Sequence, residues 1–389
     1  MNPSLKYMFN LDPEVIYLNG AYMSPMLREV EEAGITGILG KRSPNRISTD
    51  DFFAPVKALK SAFTKLVGGD TPERVALIPS VSYGMAIATR NIPLRRGEKI
   101  ILADEQFPSN VFGWEKLAHH TGASVIRVTP PQDFSDRGEH WNEKILNAID
   151  ESTKVVALPH FHWVDGTRFD LLAIRKKTWE VGAKLIIDGT QSIGAFPFDI
   201  QEIQPDAVIA AGYKWLMGPY GLGLAWFGPF FDDKEPLEEN WINRMGSEDF
   251  SSLARYEPHY QPFARRYDMG EQSNFILVPM LTTAIGWINR QGVDHIQGYC
   301  KELVSKPLEI LQSAGYQVEQ PGWRSNHLVG IYLPKGLAVN HIKQELEKEK
   351  IFISVRGKSL RVSPHLYNEP ADLEKLVSVL MNVSAKHRN

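Results

Sequence analysis

Two residues raise the question of chemistry. Lys214 sits in Ala210-Ala211-Gly212-Tyr213-Lys214-Trp215-Leu216-Met217-Gly218-Pro219-Tyr220-Gly221-Leu222-Gly223, just past an apolar run and just before a glycine-rich turn. Asp188 ends another apolar run about one βαβ step upstream, in Ile186-Ile187-Asp188-Gly189-Thr190-Gln191. The flanking Tyr213, Trp215 and Leu216 imply that Lys214 is partly buried, and a desolvated amine has a lowered pKa and reacts more readily as nucleophile and base. An amine able to form an imine, together with an acid able to hold a ring-nitrogen proton, is what pyridoxal phosphate chemistry needs. Each residue alone has a plainer reading. A lysine can leave a strand into solvent, and an aspartate before Gly189 can simply cap a turn.

Other polar and aromatic residues follow apolar runs in the same way. Ser80-Val81-Ser82-Tyr83-Gly84 opens a helical stretch, so its backbone N–H groups and the Ser82 hydroxyl can hold a phosphate, or the segment is only an N-cap. Gln191 can donate to a phenolic ring oxygen. Phe107, in Glu105-Gln106-Phe107-Pro108-Ser109-Asn110, can stack on a pyridine ring for about 1 kcal/mol, or belong to the core. His160 and His162 lie in Leu158-Pro159-His160-Phe161-His162-Trp163-Val164-Asp165-Gly166-Thr167, where they can wall a pocket; His162 is a candidate proton carrier. A His-x-His pair also suits a metal, but Asp165 and Asp170 do not complete a ligand spacing, so no metal is expected. Arg361, in Ser359-Leu360-Arg361-Val362-Ser363-Pro364-His365-Leu366-Tyr367-Asn368, suits bidentate capture of a carboxylate or a structural ion pair.

The elements that must position these groups alternate along the chain. Strands are predicted at Val75-Ala76-Leu77-Ile78-Pro79, Lys99 to Ala103, Ser124 to Val128, Lys154 to Leu158, Lys184 to Asp188 and Ala207 to Ala210, with helical stretches between them. Their near-continuous apolar character predicts burial on both faces, hence a mainly parallel sheet between helices. Right-handed crossovers put all the parallel strands' C-terminal ends on one edge, and every candidate of the large domain falls at such an end. Residues 232 to 272 read as an irregular excursion. Beyond them the pattern predicts a helix from Phe275 to Ile288, a helix from about 297 to 313, and strands at Leu328 to Tyr332, Ile351 to Val355 and Ser359 to Ser363. Helices at Asn340 to Lys350 and from Pro370 complete the reading.

Composition narrows the class. With 389 residues, 43% of them apolar and 23% charged, the chain suits one large and one smaller domain. A net charge of -3 argues against nucleic acid or an anionic membrane as the main partner. The single cysteine, Cys300, excludes an intrachain disulfide and fits a reducing, cytoplasmic setting. No apolar run approaches the ~20 residues of a membrane span, and the first residues do not read as a signal peptide. No Gly-x-Gly-x-x-Gly follows a predicted strand, which disfavours a dinucleotide-binding module.

Together these segments resemble the class V aminotransferases, within fold type I of the pyridoxal-phosphate enzymes. That family includes cysteine desulfurases, kynureninases and isopenicillin N epimerase. The resemblance covers nearly the whole chain. It is most specific in Asp188-Gly189-Thr190-Gln191, Gly212-Tyr213-Lys214-Trp215-Leu216 and Leu360 to Asn368, while Ile16-Tyr17-Leu18-Asn19-Gly20-Ala21 is similar to the family's N-terminal active-site loop. The resemblance implies an α/β fold with a large domain over 15–285, its mainly parallel sheet seven-stranded, and a small α/β domain over 286–389. Residues 1–14 are expected near the small domain.

The same resemblance implies roles. Lys214 forms the internal aldimine, Asp188 partners the pyridine nitrogen and Gln191 the phenolic oxygen. Val81, Ser82 and Tyr213 serve the phosphate, and Phe107 and Trp163 sit at the ring. Glu271-Gln272-Ser273-Asn274 is similar to the segment that a second subunit lends to the phosphate, so Ser273 and Asn274 imply a homodimer with shared sites. Arg361 takes the substrate α-carboxylate, with Asn19 and Gly20 beside it. Departures narrow the activity. No cysteine lies in Ser354-Val355-Arg356-Gly357-Lys358-Ser359, where desulfurases carry their nucleophile, and Phe107 stands in place of their histidine. Phe107-Pro108-Ser109-Asn110 and Gly212-Tyr213-Lys214 look more like kynureninases. The expected function is an aminotransferase acting through an aldimine and a quinonoid. A kynureninase-like hydrolase, a β-lyase and an amino-acid epimerase are the alternatives, and a protein that binds the cofactor without turnover is the non-enzymatic one.

Overall fold

The structure is a computed structural model that describes residues 3–134 and 136–388. Met1 and Asn2 of the segment expected near the small domain, and Asn389 of that domain, lie outside the described residues. After a short strand β1 (Ile16–Tyr17), the apolar runs form β2 (Val75–Ile78), β3 (Lys99–Ala103), β4 (Ser124–Val128), β5 (Thr153–Pro159), β6 (Lys184–Asp188) and β7 (Ala207–Ala211). An eighth strand, β8 (Gly223–Phe227), follows the glycine-rich turn after Lys214. Seven of these make one sheet in the order β2-β8-β7-β6-β5-β3-β4. All its neighbouring pairs are parallel except those of β8, which runs antiparallel to β2 and β7.

The sheet is covered on both faces, and successive residues of a strand serve different cores. Ile101, Val156, Ile187 and Val208 pack into one apolar cluster, and Ile100, Val155, Ile186 and Ile209 into another. That period-two division explains why the strands read as unbroken apolar runs. The exception is the edge strand β4, where Ser124, Ile126 and Arg127 are exposed. Helix Leu171–Val181 has readable ends: Asp170 accepts from the Leu172 and Ala173 amides, and Gly182 at φ 72° closes it in the left-handed region. Helices Arg28–Gly40 and Asp50–Leu66 precede the sheet and have no counterpart among the elements predicted from apolar patterning.

The remaining strands are β9 (Gln317–Val318), β10 (Val329–Tyr332), β11 (Ile351–Phe352), β12 (Ser354–Arg356) and β13 (Ser359–Val362). Four form an antiparallel sheet, β12-β13-β10-β9. The strand expected over Ile351 to Val355 is broken at Ile353 because its halves have different partners. Ile351 and Phe352 pair in parallel with Ile16 and Tyr17, while Ser354 to Arg356 pair with β13. The N-terminal stretch is tied to the same region by the Leu5 amide, which donates to Leu366 O at 2.8 Å. Phe9, Leu18, Val329, Leu360 and the buried Cys300 share a third apolar core. Helix Leu277–Gln291 feeds two cores, through Leu281 and Ile285 on one side and Ala284 and Ile288 on the other. Residues 228–276 hold only three short 3-10 turns, Pro229–Phe231, Phe250–Arg255 and Phe263–Tyr267. No described helix is long and apolar enough to cross a membrane.

Candidate active site

The C-terminal ends of β2, β5, β6 and β7 surround a cavity of about 260 Å³. Its walls include Ser80, Val81, Ser82, Phe107, Trp163, Asp188, Gln191, Tyr213 and Lys214. Eight of the residues singled out in the sequence therefore converge, as the switch from strand to loop along one sheet edge requires.

Lys214 is placed there by a tight backbone crossing. A Cβ on Gly212 would lie 2.4 Å from the Leu222 carbonyl oxygen, which instead accepts the Gly212 amide at 2.9 Å. The amine of Lys214 lies 5.4 Å from the Phe107 ring centroid and 5.7 Å from that of Tyr213. Burial, with the Arg361 charge adding to it, pushes the amine down to about 8, although Asp188 opposes the shift. Asp188 is itself buried, and burial raises its carboxyl above the ordinary range despite the Thr190 hydrogen bonds and the Lys214 charge. Its Oδ1 accepts the Thr190 amide at 3.0 Å. An acid so short of compensation fits a positively charged N–H donor facing it.

Ser80 caps helix Val81–Asn91, accepting the Tyr83 amide at 3.3 Å, and its hydroxyl lies 2.9 Å from that of Ser82. The two hydroxyls and the helix N-terminus face one end of the cavity, a setting that favours a phosphate. Phe107 forms one wall and meets Trp163 edge-on at 5.3 Å, while the Trp163 indole donates to Glu105 O at 2.7 Å. Gln191 is anchored by its amide to Ala21 O at 3.2 Å and by the Trp215 indole, which donates to its Oε1 at 2.8 Å. One N–H of Gln191 remains for a ligand. The contribution of Trp215 was not legible, because an indole next to a lysine reads only as core.

Other candidates fall outside the cavity wall. His162, the candidate proton carrier, is one of them. Pro159, Phe161 and Trp163 line the cavity, and the alternating His160 and His162 point elsewhere. The His162 ring is buried, with Nε2 3.2 Å from Asp104 O and Nδ1 3.5 Å from Asp165 Oδ1. It belongs to a buried ionic group. Arg137 lies 2.9 Å from Asp165 and 3.5 Å from Glu319, and Tyr332 donates to Asp165 at 2.8 Å. Burial would raise the Asp165 carboxyl, but His162, Arg137 and the Thr167 amide outweigh it and hold it well below the usual carboxylate range. His160 faces a separate cavity of about 510 Å³, and burial keeps its ring neutral, down to about 3. Among the described residues no group of three or more His, Cys, Asp or Glu is arranged around a metal position.

Arg361 is adjacent to the cavity. Its Nη1 donates to Trp163 O at 2.7 Å and its Nη2 to Ser354 Oγ at 3.4 Å, and Ser354 in turn donates to Asn19 Oδ1 at 2.8 Å. The Gly20 amide donates to Ser363 O at 3.2 Å. Ser273 and Asn274 do not line the cavity of their own chain. The Ser273 hydroxyl donates to Phe52 O at 2.5 Å, and Asn274 Oδ1 accepts the Ile276 and Leu277 amides.

This geometry and this fold have a consistent meaning: the protein is a pyridoxal-phosphate-dependent enzyme acting on amino acids. The family description Aminotransferase class-V matches residues 48–376, and the chain belongs to that family. Among its relatives, the uncharacterized aminotransferase YcbU of Bacillus subtilis is 25% identical over 331 residues, covering 82% of this chain and 81% of the relative. Isopenicillin N epimerase of Streptomyces clavuligerus is 23% identical and covers 95% of each chain. In fold, the chain is similar to the apo cysteine desulfurase of Thermococcus onnurineus NA1, with a TM-score of 0.84, 19% identity and 99% of each chain covered.

Proposed function

We propose that the chain transfers an amino group between an amino acid and a 2-oxo acid. The observation that carries this reading is that Lys214 is, among the described residues, the one amine lining the cavity. Amino-group transfer needs one base that takes a proton from one carbon and returns it to another on the same side of the ligand. Epimerisation needs a second base on the opposite side; among the described residues of the wall there is no His or Glu, the carboxylate is Asp188, and the phenols are Tyr213 and Tyr220. Persulfide chemistry needs a thiol. Cys300 is buried away from the cavity, its Sγ 3.5 Å from Pro364 O.

When bound, the cofactor supplies an electron sink for the bond broken at the amino-acid α-carbon. Lys214 would hold it covalently and then act as the base. Asp188 would keep the ring nitrogen protonated, Gln191 would donate to the ring oxygen, and Phe107, with Trp163 beside it, would cover the ring. Val81, Ser82 and Tyr213 would hold the phosphate end. Arg361, with Asn19 and Gly20 around it, orients the α-carboxylate.

A homodimer completes the site. Ser273 and Asn274 reach the phosphate of the other protomer, and the exposed Ile35, Ile38 and Leu39 offer an apolar face on helix Arg28–Gly40. Gly37 of that helix packs on the Phe275 backbone, next to Ser273 and Asn274. A single buried thiol suits the cytoplasm. The test is a panel of amino acids mixed with the holoenzyme, with and without a 2-oxo acid. The expected outcome is a change of the cofactor's absorbance that the 2-oxo acid reverses. Release of ammonia or alanine without that reversal would show a lyase or hydrolase instead.

A further inference from the structure

The hairpin that carries Arg361 holds a second guanidinium with no role in the reading above. In the β12–β13 register, Ser354 lies opposite Arg361 and Arg356 opposite Ser359. Residues two apart on a strand share a face, so Ser354, Arg356, Ser359 and Arg361 all project from one side of the hairpin. Both guanidiniums approach the same indole, Arg356 at 5.4 Å and Arg361 at 6.0 Å from the Trp163 ring. Trp163 packs edge-on against Phe107, which lies 5.4 Å from the Lys214 amine. The chain of contacts runs from the reacting amine to the paired arginines.

Two like charges held this close need an explanation. Among the described residues neither guanidinium forms an ion pair with a carboxylate. Their hydrogen bonds go to neutral acceptors: Arg356 Nη1 donates to Val355 O at 2.9 Å, and Arg361 to Trp163 O and Ser354 Oγ. Both Nε atoms are buried without a partner. The surrounding groups do not neutralise them. Tyr17 is a phenol that burial raises to about 12, and Tyr22 is a largely exposed phenol. Burial first, and then the Arg356 charge, push the Arg361 guanidinium down to about 9, with Tyr17 opposing. One α-carboxylate can satisfy one planar fork bidentately and leaves the other unpaired.

We propose that Arg356 binds a second anionic group, so that the substrate is an amino acid with an acidic side chain. This inference rests on the proposed amino-acid chemistry at Lys214. The α-carboxylate pairs with the deeper Arg361, and the side-chain carboxylate pairs with the less buried Arg356 on the same hairpin face. A neutral amino acid leaves the Arg356 charge uncompensated, so the site selects against it.

Binding can be followed by absorbance and by calorimetric titration of the holoenzyme with glutamate, aspartate, norvaline and alanine. Glutamate or aspartate is expected to bind at least about tenfold tighter than the neutral pair, as for a charge-assisted hydrogen bond. In Arg356→Gln that acidic-to-neutral ratio is expected to fall by about tenfold, and Arg356→Lys is expected to restore part of it. Equal affinities for acidic and neutral amino acids, or a ratio unmoved by Arg356→Gln, would overturn the inference and leave the proposed chemistry standing. If no amino acid of either kind alters the absorbance or gives binding heat, the parent reading fails and this inference fails with it.

Discussion

Lys214 illustrates how far one side chain depends on its surroundings. Its amine is mostly neutral only above its pKa, and only the neutral form attacks a carbonyl. Lowered from the ordinary 10.5 to about 8, it is roughly one-tenth neutral at pH 7. Capture of the cofactor by the apo-protein is therefore expected to speed up with rising pH and to level off above about 8. Arg361 is the second cause of the shift after burial. Arg361→Ala should thus move the midpoint upward, as followed by stopped-flow absorbance. A rate that is flat from pH 6 to 9 would contradict the assignment of Lys214. Asp188 works in the opposite sense: burial favours its proton, and a cationic N–H donor placed against it would favour the charged form.

Among elements, the strand ends do most of the positioning. Lys214, Asp188, Gln191 and the Ser80–Ser82 turn were legible because each follows an unbroken apolar run, and parallel strands share one C-terminal edge. For His162 the strand was legible and its side was not. Counting by twos from Pro159 would have put Phe161 and Trp163 on the cavity side and both histidines off it. Strand β8 was hidden because an antiparallel strand entered through a glycine turn lacks the helix that marks a crossover. Arg356 drew no reading of its own from the sequence, because only the hairpin register puts it on the same face as Arg361. The crossing at Gly212 gives a test at this scale. Gly212→Ala forces a methyl against the Leu222 carbonyl, and overpacking of this kind costs about 1–3 kcal/mol. Denaturant unfolding should show that loss, together with weaker retention of the cofactor. Unchanged stability would mean that the crossing can relax.

On the scale of the whole molecule, Asp165 joins distant parts of the chain. It pairs with Arg137, accepts from Tyr332, and gives its carbonyl to the Gly330 amide at 2.8 Å. A Cβ on Gly330 would sit 2.5 Å from that of Asp165, so β10 reaches it only as backbone. Such a buried ionic group fixes how the small antiparallel sheet sits on the large one, whereas exposed pairs such as Lys177 and Glu180 contribute little. The proposed second subunit is tested on helix Arg28–Gly40. Ile38→Asp places a charge in the exposed apolar face of helix Arg28–Gly40. Sedimentation should then shift from dimer toward monomer, with activity lost in parallel. A monomeric wild-type protein with full activity would refute the shared site.

Cys300 has a practical consequence. The sole thiol sits in the third core, and burial raises its pKa well above the ordinary range. A thiol that is neither exposed nor ionised is inert to alkylating reagents until the core around it opens. Because that core is built from Phe9 and Leu18 as well as Val329 and Leu360, a reagent reaches the sulfur only when both ends of the chain come apart. The native sequence thus carries its own clock for opening events. Labelling rates of the unmodified protein, with and without cofactor, report how often that junction breathes and how strongly ligand binding holds it shut.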